Sequence, residues 1–244
     1  MNTDLLYHTD SYVRNFNARV LARRENAVAL DRTAFFPGGG GQMADRGVVR
    51  CEGRECAITG SFKDEEGAAI WHELEGPCPA VGAEVEGVLD WEFRYRMMRT
   101  HTALHILCGL IFRDFGAQVT GGHMYPDRAR MDFALEQFDQ GTIRAIEESA
   151  NAAIQADLPI KVYTLPREEA FEIPDLIRTK INLLPPGIET IRIVEIIGLD
   201  LQADGGTHVA HSGEVGAIRI LKTENKGKIN KRMEIALADE NEKD

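Results

Sequence analysis

His101 and His105 stand four residues apart, and in a helix that spacing sets two imidazoles one above the other on a single face, where both can reach one metal ion. Leu104, Ile106 and Leu107 make such a helix apolar enough to be buried, and a buried imidazole pair needs a partner. A second cluster supplies one. In Asp200-Leu201-Gln202-Ala203-Asp204-Gly205-Gly206-Thr207-His208-Val209, Asp204 and His208 bracket two glycines that free the backbone to turn sharply. Three neutral imidazoles plus a carboxylate suit zinc, one ion per chain. A catalytic zinc site keeps one position for a water whose pKa the metal lowers to about 7. The implied chemistry is hydrolysis. The zinc-peptidase helix places Glu directly after its first histidine; here Thr102 follows His101, so the usual base of that class is absent. His211 and His123 are further candidate ligands, each also readable as a surface or hydrogen-bonding side chain.

The elements that must position these residues change character along the chain. From Leu5 to about Trp91, short apolar stretches alternate with glycine and charged turns, as in Ala27-Val28-Ala29-Leu30-Asp31 and Ala83-Glu84-Val85-Glu86-Gly87-Val88-Leu89. Several short strands at close spacing indicate a small antiparallel barrel. At 90–95 the period switches: Met97, Met98, His101, Leu104, His105, Cys108, Ile111 and Phe112 recur at helical spacing. The seam therefore falls there, giving a domain at 1–92, a second at 93–238 and a charged tail at 239–244. The second domain reads as a helix at 93–115, strands within 117–135, a helix at 139–156, a strand at 160–165 and a helix from Arg167. Strands at 190–197, 216–222 and 233–237 complete it. Mixed order of this kind is α+β with an antiparallel sheet, not a doubly wound parallel one.

Composition bounds the function. At 244 residues and 43% hydrophobic content the chain can fill one large or two modest cores. No apolar run approaches the roughly 20 residues that span a bilayer, and residues 1–9 lack a basic segment followed by an apolar stretch, so a cytoplasmic protein with no membrane partner is expected. Cys51, Cys56, Cys78 and Cys108 are scattered without a C-x-x-C pair and are expected to be reduced thiols. The net charge of −11 opposes unspecific attraction to a polyanion. A nucleic-acid partner would have to meet a local basic patch: 19–24, Arg94-Tyr95-Arg96-Met97-Met98-Arg99, or the tail at 222–232.

Three motifs, in order, cover nearly the whole chain: Phe35-Phe36-Pro37-Gly38-Gly39-Gly40-Gly41-Gln42, His101-Thr102-Ala103-Leu104-His105, and Gly205-Gly206-Thr207-His208-Val209 followed by Gly213-Glu214-Val215-Gly216. They resemble the signatures of the alanyl-tRNA synthetase editing domain. With no ATP-binding or aminoacylation domain before them and no long coiled coil after, the match is to the AlaX family of free-standing editing factors, in its medium-length form. The resemblance implies a small N-terminal β-barrel followed by a two-layer α/β editing domain of the threonyl/alanyl-tRNA synthetase type. It also implies a substrate, tRNA for alanine mischarged with serine or glycine, and zinc-dependent ester hydrolysis, the protein being monomer or dimer.

Carried onto this sequence, the resemblance implies metal ligands His101, His105, His208 and Asp204 and catalytic roles for Gln42, Thr120 and Thr207. Substrate binding would fall to Gly38, Gly39, Gly40, Gly41 and Arg99. Thr120 corresponds roughly to a threonine that relatives place beside the substrate side chain, though it also reads as an ordinary strand threonine. Asp132 matches the family's following strand and reads as structural. RNA recognition would fall to Arg94, Arg96, Arg99, Arg128, Lys180 and the segment 222–232. One departure is plain: many members carry Cys where Asp204 stands. Asp204 is then open to three roles: direct ligation through oxygen, ligation through a water, or none, with three imidazoles holding the ion. A silent zinc-containing tRNA-binding module is the competing function; a closed four-ligand site favours it and an open water position opposes it.

Overall fold

The computed structural model describes residues 1–64, 69–136, 139–182, 184 and 187–238, so the expected charged tail at 239–244 lies outside the described residues. The chain divides into two compact units, Met1–Met97 and Met98–Asp244.

The strands of the first unit are β1 (Asp4–Leu5), β2 (Asn15–Arg23), β3 (Ala27–Leu30), β4 (Arg32–Thr33), β5 (Gly47–Cys51), β6 (Arg54–Lys63), β7 (Ile70–Leu74) and β8 (Glu84–Leu89). Six of them close into a barrel in the order β2-β3-β7-β6-β5-β8, every neighbouring pair with assigned register being antiparallel; β1 and β4 form a separate parallel pair. Alternation explains the closure. In β2, Phe16, Ala18 and Val20 point inward between exposed residues, and Val85 and Leu89 do so in β8. These side chains meet Val28, Leu30, Phe35, Val49 and Leu74 in one apolar core.

The second unit takes up most of α1 (Trp91–Phe115) and continues through β9 (Val119–Met124), β10 (Ala129–Phe133), α2 (Gln140–Gln155), β11 (Ile160–Pro166), α3 (Arg167–Phe171), β12 (Thr190–Ile196), β13 (Asp200–Ala203), β14 (Ile218–Asn225) and β15 (Lys231–Leu237). Its strands form two antiparallel sheets, β14-β15-β10-β9 and β11-β12-β13. The α+β expectation thus holds, with one strand missed: 200–203 reads as part of a turning loop in the sequence but pairs with β12. Asp90 caps α1, its Oδ1 accepting the Phe93 amide at 3.1 Å. From Thr100 to Ile111 every residue of α1 is buried, so the helix has no solvated face along that stretch, which includes both histidines.

Arg94 corrects an expectation. Placed among the RNA-binding residues by its basic neighbours, it is one of the largest fully buried side chains in the protein. Its Nε donates to both oxygens of Asp45 at 2.9 and 3.0 Å, its terminal nitrogen closes a further contact to Asp45, and its other nitrogen donates to the Ser11 carbonyl at 2.9 Å. Asp45 also accepts the Phe36 amide at 2.6 Å, while its own amide donates to the Phe36 carbonyl at 2.9 Å. Residues 36 and 45 are therefore pinned to each other at the base of the glycine run. That run is a tight turn: Gly39 and Gln42 exchange backbone hydrogen bonds of 3.1 and 2.9 Å, and all four glycines have positive φ, from 60 to 131°. No atom lies within 4 Å of a Cβ built on Gly39 or Gly40, so at those two positions it is backbone conformation and not space that demands glycine.

The basic segment 222–232 is likewise no tail. It forms the β14–β15 hairpin, where Lys222 and Lys226 pair with Glu224 and Arg232 with Asp132.

Removing one partner of a fully buried ion pair leaves an uncompensated charge. Arg94→Met should therefore lower unfolding free energy by about 3–5 kcal/mol in urea titration, and adding Asp45→Asn should recover much of it. A second test uses His72, wholly buried in the first unit between Thr33 and Ser61 hydroxyls at 3.0 and 2.8 Å. Burial pushes its pKa down from 6.5 to about 4. Between those values only the unfolded chain binds the proton, so His72 removes stability as pH falls. Replacing it with Gln should flatten the stability difference between pH 7 and pH 5 by about 2 kcal/mol relative to the parent.

Candidate metal centre

Two elements of the second unit supply the centre. α1 presents His101 and His105 on one face, their ring centroids 5.0 Å apart, and the loop after β13 returns Asp204 and His208 to them. His208 lies 4.3 Å from His101 and 4.6 Å from His105, centroid to centroid. The four ligand atoms all fall within 4.8 Å of one another, and all three histidines are buried. From Asp204, Oδ1 stands 3.6 Å from His101 Nε2 and 4.0 Å from His105 Nε2, and Oδ2 stands 3.1 Å from His208 Nε2.

Hydrogen bonds on the outer side fix which nitrogen faces inward. His105 Nδ1 is 3.1 Å from Asp200 Oδ2; a carboxylate only accepts, so the ring proton sits on Nδ1 and Nε2 is turned to the centre. Gln202 donates to the same Asp200 oxygen at 2.6 Å. His208 Nδ1 faces Thr102 Oγ1 at 3.2 Å, an oxygen that also accepts the Val209 amide at 3.4 Å. His105 Nε2 is thereby left with its lone pair inward, while His208 takes the Thr102 hydroxyl at Nδ1 and donates from Nε2 to Asp204 Oδ2 at 3.1 Å, a proton that metal binding would displace. Three imidazole nitrogens and a carboxylate converging in this way form a donor set that could hold a metal ion.

Electrostatics points the same way. Burial, the largest influence, holds His101 well below the ordinary imidazole pKa and takes His208 down to about 4, so both rings stay neutral and keep a lone pair for a metal. For His105 burial also acts downward, but the hydrogen bond and charge of Asp200 outweigh it and the net shift is upward. Burial alone would raise the Asp204 carboxyl; the three imidazoles overcome it and hold the group well below the carboxylate range. Asp204 is further fixed by the Gly206 amide, which donates to Oδ2 at 2.6 Å. Its carbonyl accepts from Arg192 at 2.9 Å.

The remaining expected residues are placed as follows. Thr207 is fully buried between Asp204 and His208 in the sequence of that loop. Thr120, on β9, is exposed and donates to Asn230 Oδ1 at 2.7 Å. Arg99 gives its Nε to the Val215 carbonyl at 2.9 Å, which holds the turn following His208. His211 and His123 lie outside the ligand group: His211 caps the 3-10 turn Ser212–Val215, and His123 packs edge-on against Tyr125 at 4.5 Å. Asp132 takes a two-point ion pair from Arg232 at 2.7 and 2.8 Å. In the first unit, Gln42 is buried at the end of the glycine turn formed by Gly38, Gly39, Gly40 and Gly41. All four cysteines are free, and burial pushes up the thiol pKa of Cys108, one turn past His105 in α1, so it stays protonated.

Asp200, Gln202 and Thr102 carry no role in the sequence reading. The signal for Asp200 was an acid directly after the apolar run Ile196-Ile197-Gly198-Leu199, a place where a buried partner such as a metal-binding imidazole would accommodate it.

Comparison with known proteins agrees with this geometry. Residues 191–234 match the family model described as the threonyl and alanyl tRNA synthetase second additional domain, and residues 8–93 match the class II (A) tRNA synthetase model. The alanyl-tRNA editing protein AlaX-M of Saccharolobus solfataricus is 44% identical over 232 residues, covering 95% of this chain and 97% of its own. That of Methanosarcina acetivorans is 39% identical, covering 97% and 100%. The alanine–tRNA ligase of Thermofilum pendens is 40% identical over 90% of this chain, a match that takes in 24% of the ligase. With relatives of that identity aligned end to end, and with the histidine pair and the Gly-Gly-Thr-His loop converging in one buried group, the chain belongs to the AlaX-M family of alanyl-tRNA editing proteins.

Proposed function

We propose that this protein is a trans-editing aminoacyl-tRNA deacylase, hydrolysing the ester that joins serine, and also glycine, to tRNA for alanine at a zinc centre of His101, His105, His208 and Asp204. One observation carries the reading: a buried, convergent group of three imidazoles and a carboxylate, in a chain that matches an alanyl-tRNA editing protein over 95% of its length. Zinc fits the donor set. A tetrahedron with bonds of about 2.0–2.1 Å has edges of roughly 3.3 Å. The 3.1, 3.6 and 4.0 Å separations between Asp204 and the three Nε2 atoms bracket that value.

The chemistry available from such an ion is polarisation of the ester carbonyl, a lowered pKa for an attacking water, or a hold on the substrate's amino group. The protein's own residues supply the rest. Neutral His101 and His208 bring lone pairs without competing for protons. Burial of the rings keeps bulk water from diluting the field at the reacting ester. Selection of serine over alanine needs a group that hydrogen-bonds the extra hydroxyl, since a site built for an OH rejects analogues lacking it by up to about 10⁴–10⁵. Thr120, Thr207 and Gln42 are the proposed hydroxyl and amide partners. The turn of Gly38, Gly39, Gly40 and Gly41, together with Arg99, is proposed to bind the aminoacylated end. Of the proposed RNA contacts, Lys180 is exposed, while Arg128 is exposed but paired with Asp127. The protein is proposed to act in the cytoplasm; no described helix is long and apolar enough to cross a membrane.

If Asp204 completes a closed four-ligand site, the silent binding module gains ground; its position facing all three Nε2 atoms is the observation on that side. Deacylation decides. The purified chain should carry about one zinc by elemental analysis and release serine from seryl-tRNA for alanine while sparing alanyl-tRNA. Chelation, or the His101→Ala, His105→Ala pair, should return the rate to background. No release by a folded, metallated sample sinks the enzymatic reading and leaves the binding module. For Asp204, direct ligation predicts that Asp204→Ala weakens zinc in chelator competition, whereas Asp204→Cys tightens it, because thiolate is the softer ligand. Unchanged affinity in Asp204→Ala would assign the ion to the imidazoles alone.

A further inference from the structure

On the outer side of the centre, α1 and β13 meet through a group that the editing reaction does not itself call for. Going along α1 from His105, Gly109 is the residue one turn on and Phe112 follows three later, so all three share a face. A Cβ on Gly109 would lie 2.7 Å from the Leu199 carbonyl and 2.9 Å from Asp200 Cβ. Glycine at that position is what lets the start of β13 close against the helix and deliver the Asp200 carboxylate to His105 Nδ1.

Asp200 is wholly buried, and its hydrogen bonds go to His105 and Gln202. The cation that offsets its charge is Arg178, whose Nε lies 3.7 Å from Asp200 Oδ1, beyond hydrogen-bond reach. The guanidinium rests on the ring of Phe112 at 3.8 Å, so its position comes from α1 and not from a hydrogen bond to the acid. The two partners thus divide the carboxylate: Oδ1 feels the positive field, and Oδ2 is left to accept from the imidazole. A hydrogen-bonded Arg178 would instead draw electron density from the same acceptor and weaken its hold on His105. An imidazole that donates to a full carboxylate is a better metal ligand and has its ring orientation fixed.

We propose that Asp200 is the positioning residue that sets the affinity of this centre for its metal, seated by Gly109 and charge-balanced by Arg178. The proposal rests on the zinc-centre reading above. It assigns work to a carboxylate outside the ligand set, and it separates that work from simple charge balance within the fold.

The test measures zinc affinity by competition with a chromogenic chelator, and the thermal stability of the metal-free protein, in the parent, Asp200→Asn, and the Asp200→Asn, Arg178→Met pair. The single variant should lose both affinity and apo stability, because Arg178, whose side chain is 13% exposed, is left without its acid. In the pair the apo stability should return toward the parent, while zinc binding stays weaker by about 10–100-fold. Parental affinity in the pair would overturn the proposal and reduce Asp200 to a counter-ion of Arg178. A parent that takes up no zinc at all would overturn the centre itself, and the positioning role with it.

Discussion

Everything in the second unit turns on bringing four potential ligand atoms together where water cannot separate them. Three imidazole nitrogens and a carboxylate gather within 4.8 Å of one another, each from a side chain that would rather be solvated. Hydrogen bonds hold the gathering together: Asp200 fixes one ring, Thr102 and Asp204 take the two nitrogens of another, and the Gly206 amide fixes the carboxylate. α1 must be buried on every side along 100–111 to carry two of those rings, and β13 must pair with β12 to place the other pair. The topology around the site follows from those two demands.

The first unit solves a different problem with a similar device. A turn of four glycines at positive φ has little cohesion of its own, and the chain holds it by pinning residues 36 and 45 together through Asp45. Arg94 then neutralises Asp45 from the first turn of α1. A buried ion pair of this kind contributes little net stability against an apolar alternative, but it defines a single arrangement. It also explains why α1 begins in the first unit although most of it belongs to the second.

Much of this was legible in the chain itself. The switch from alternation to helical spacing near Trp91 marks the start of α1, which the structure places at Trp91–Phe115 against an expected 93–115. The i, i+4 histidines and the Gly-Gly-Thr-His loop announce the donor set because both motifs are local. What stayed hidden was set by partners far away. Arg94 sits in Arg-Tyr-Arg-Met-Met-Arg and looks like surface charge until Asp45, 49 residues earlier, is found against it. β13 is four residues long and polar at two of them, too short for its alternation to stand out from a turn, so the role of Asp200 was not visible. The hairpin at 222–232 reads as a basic tail because the acids that pair with it are dispersed through the segment and on β10.

The distance along the chain between the two halves of the centre has a consequence for its birth on the ribosome. Thr102 and His208, in contact at the site, are 106 residues apart in sequence. At about 5–20 residues per second the helix carrying His101 and His105 therefore exists for several seconds or more before its partners are synthesised. The first unit, complete at Met97, can close in that interval. Of the four converging side chains the nascent chain holds only His101 and His105 until Asp204 and His208 emerge, so the site cannot assemble before the loop after β13 has been made.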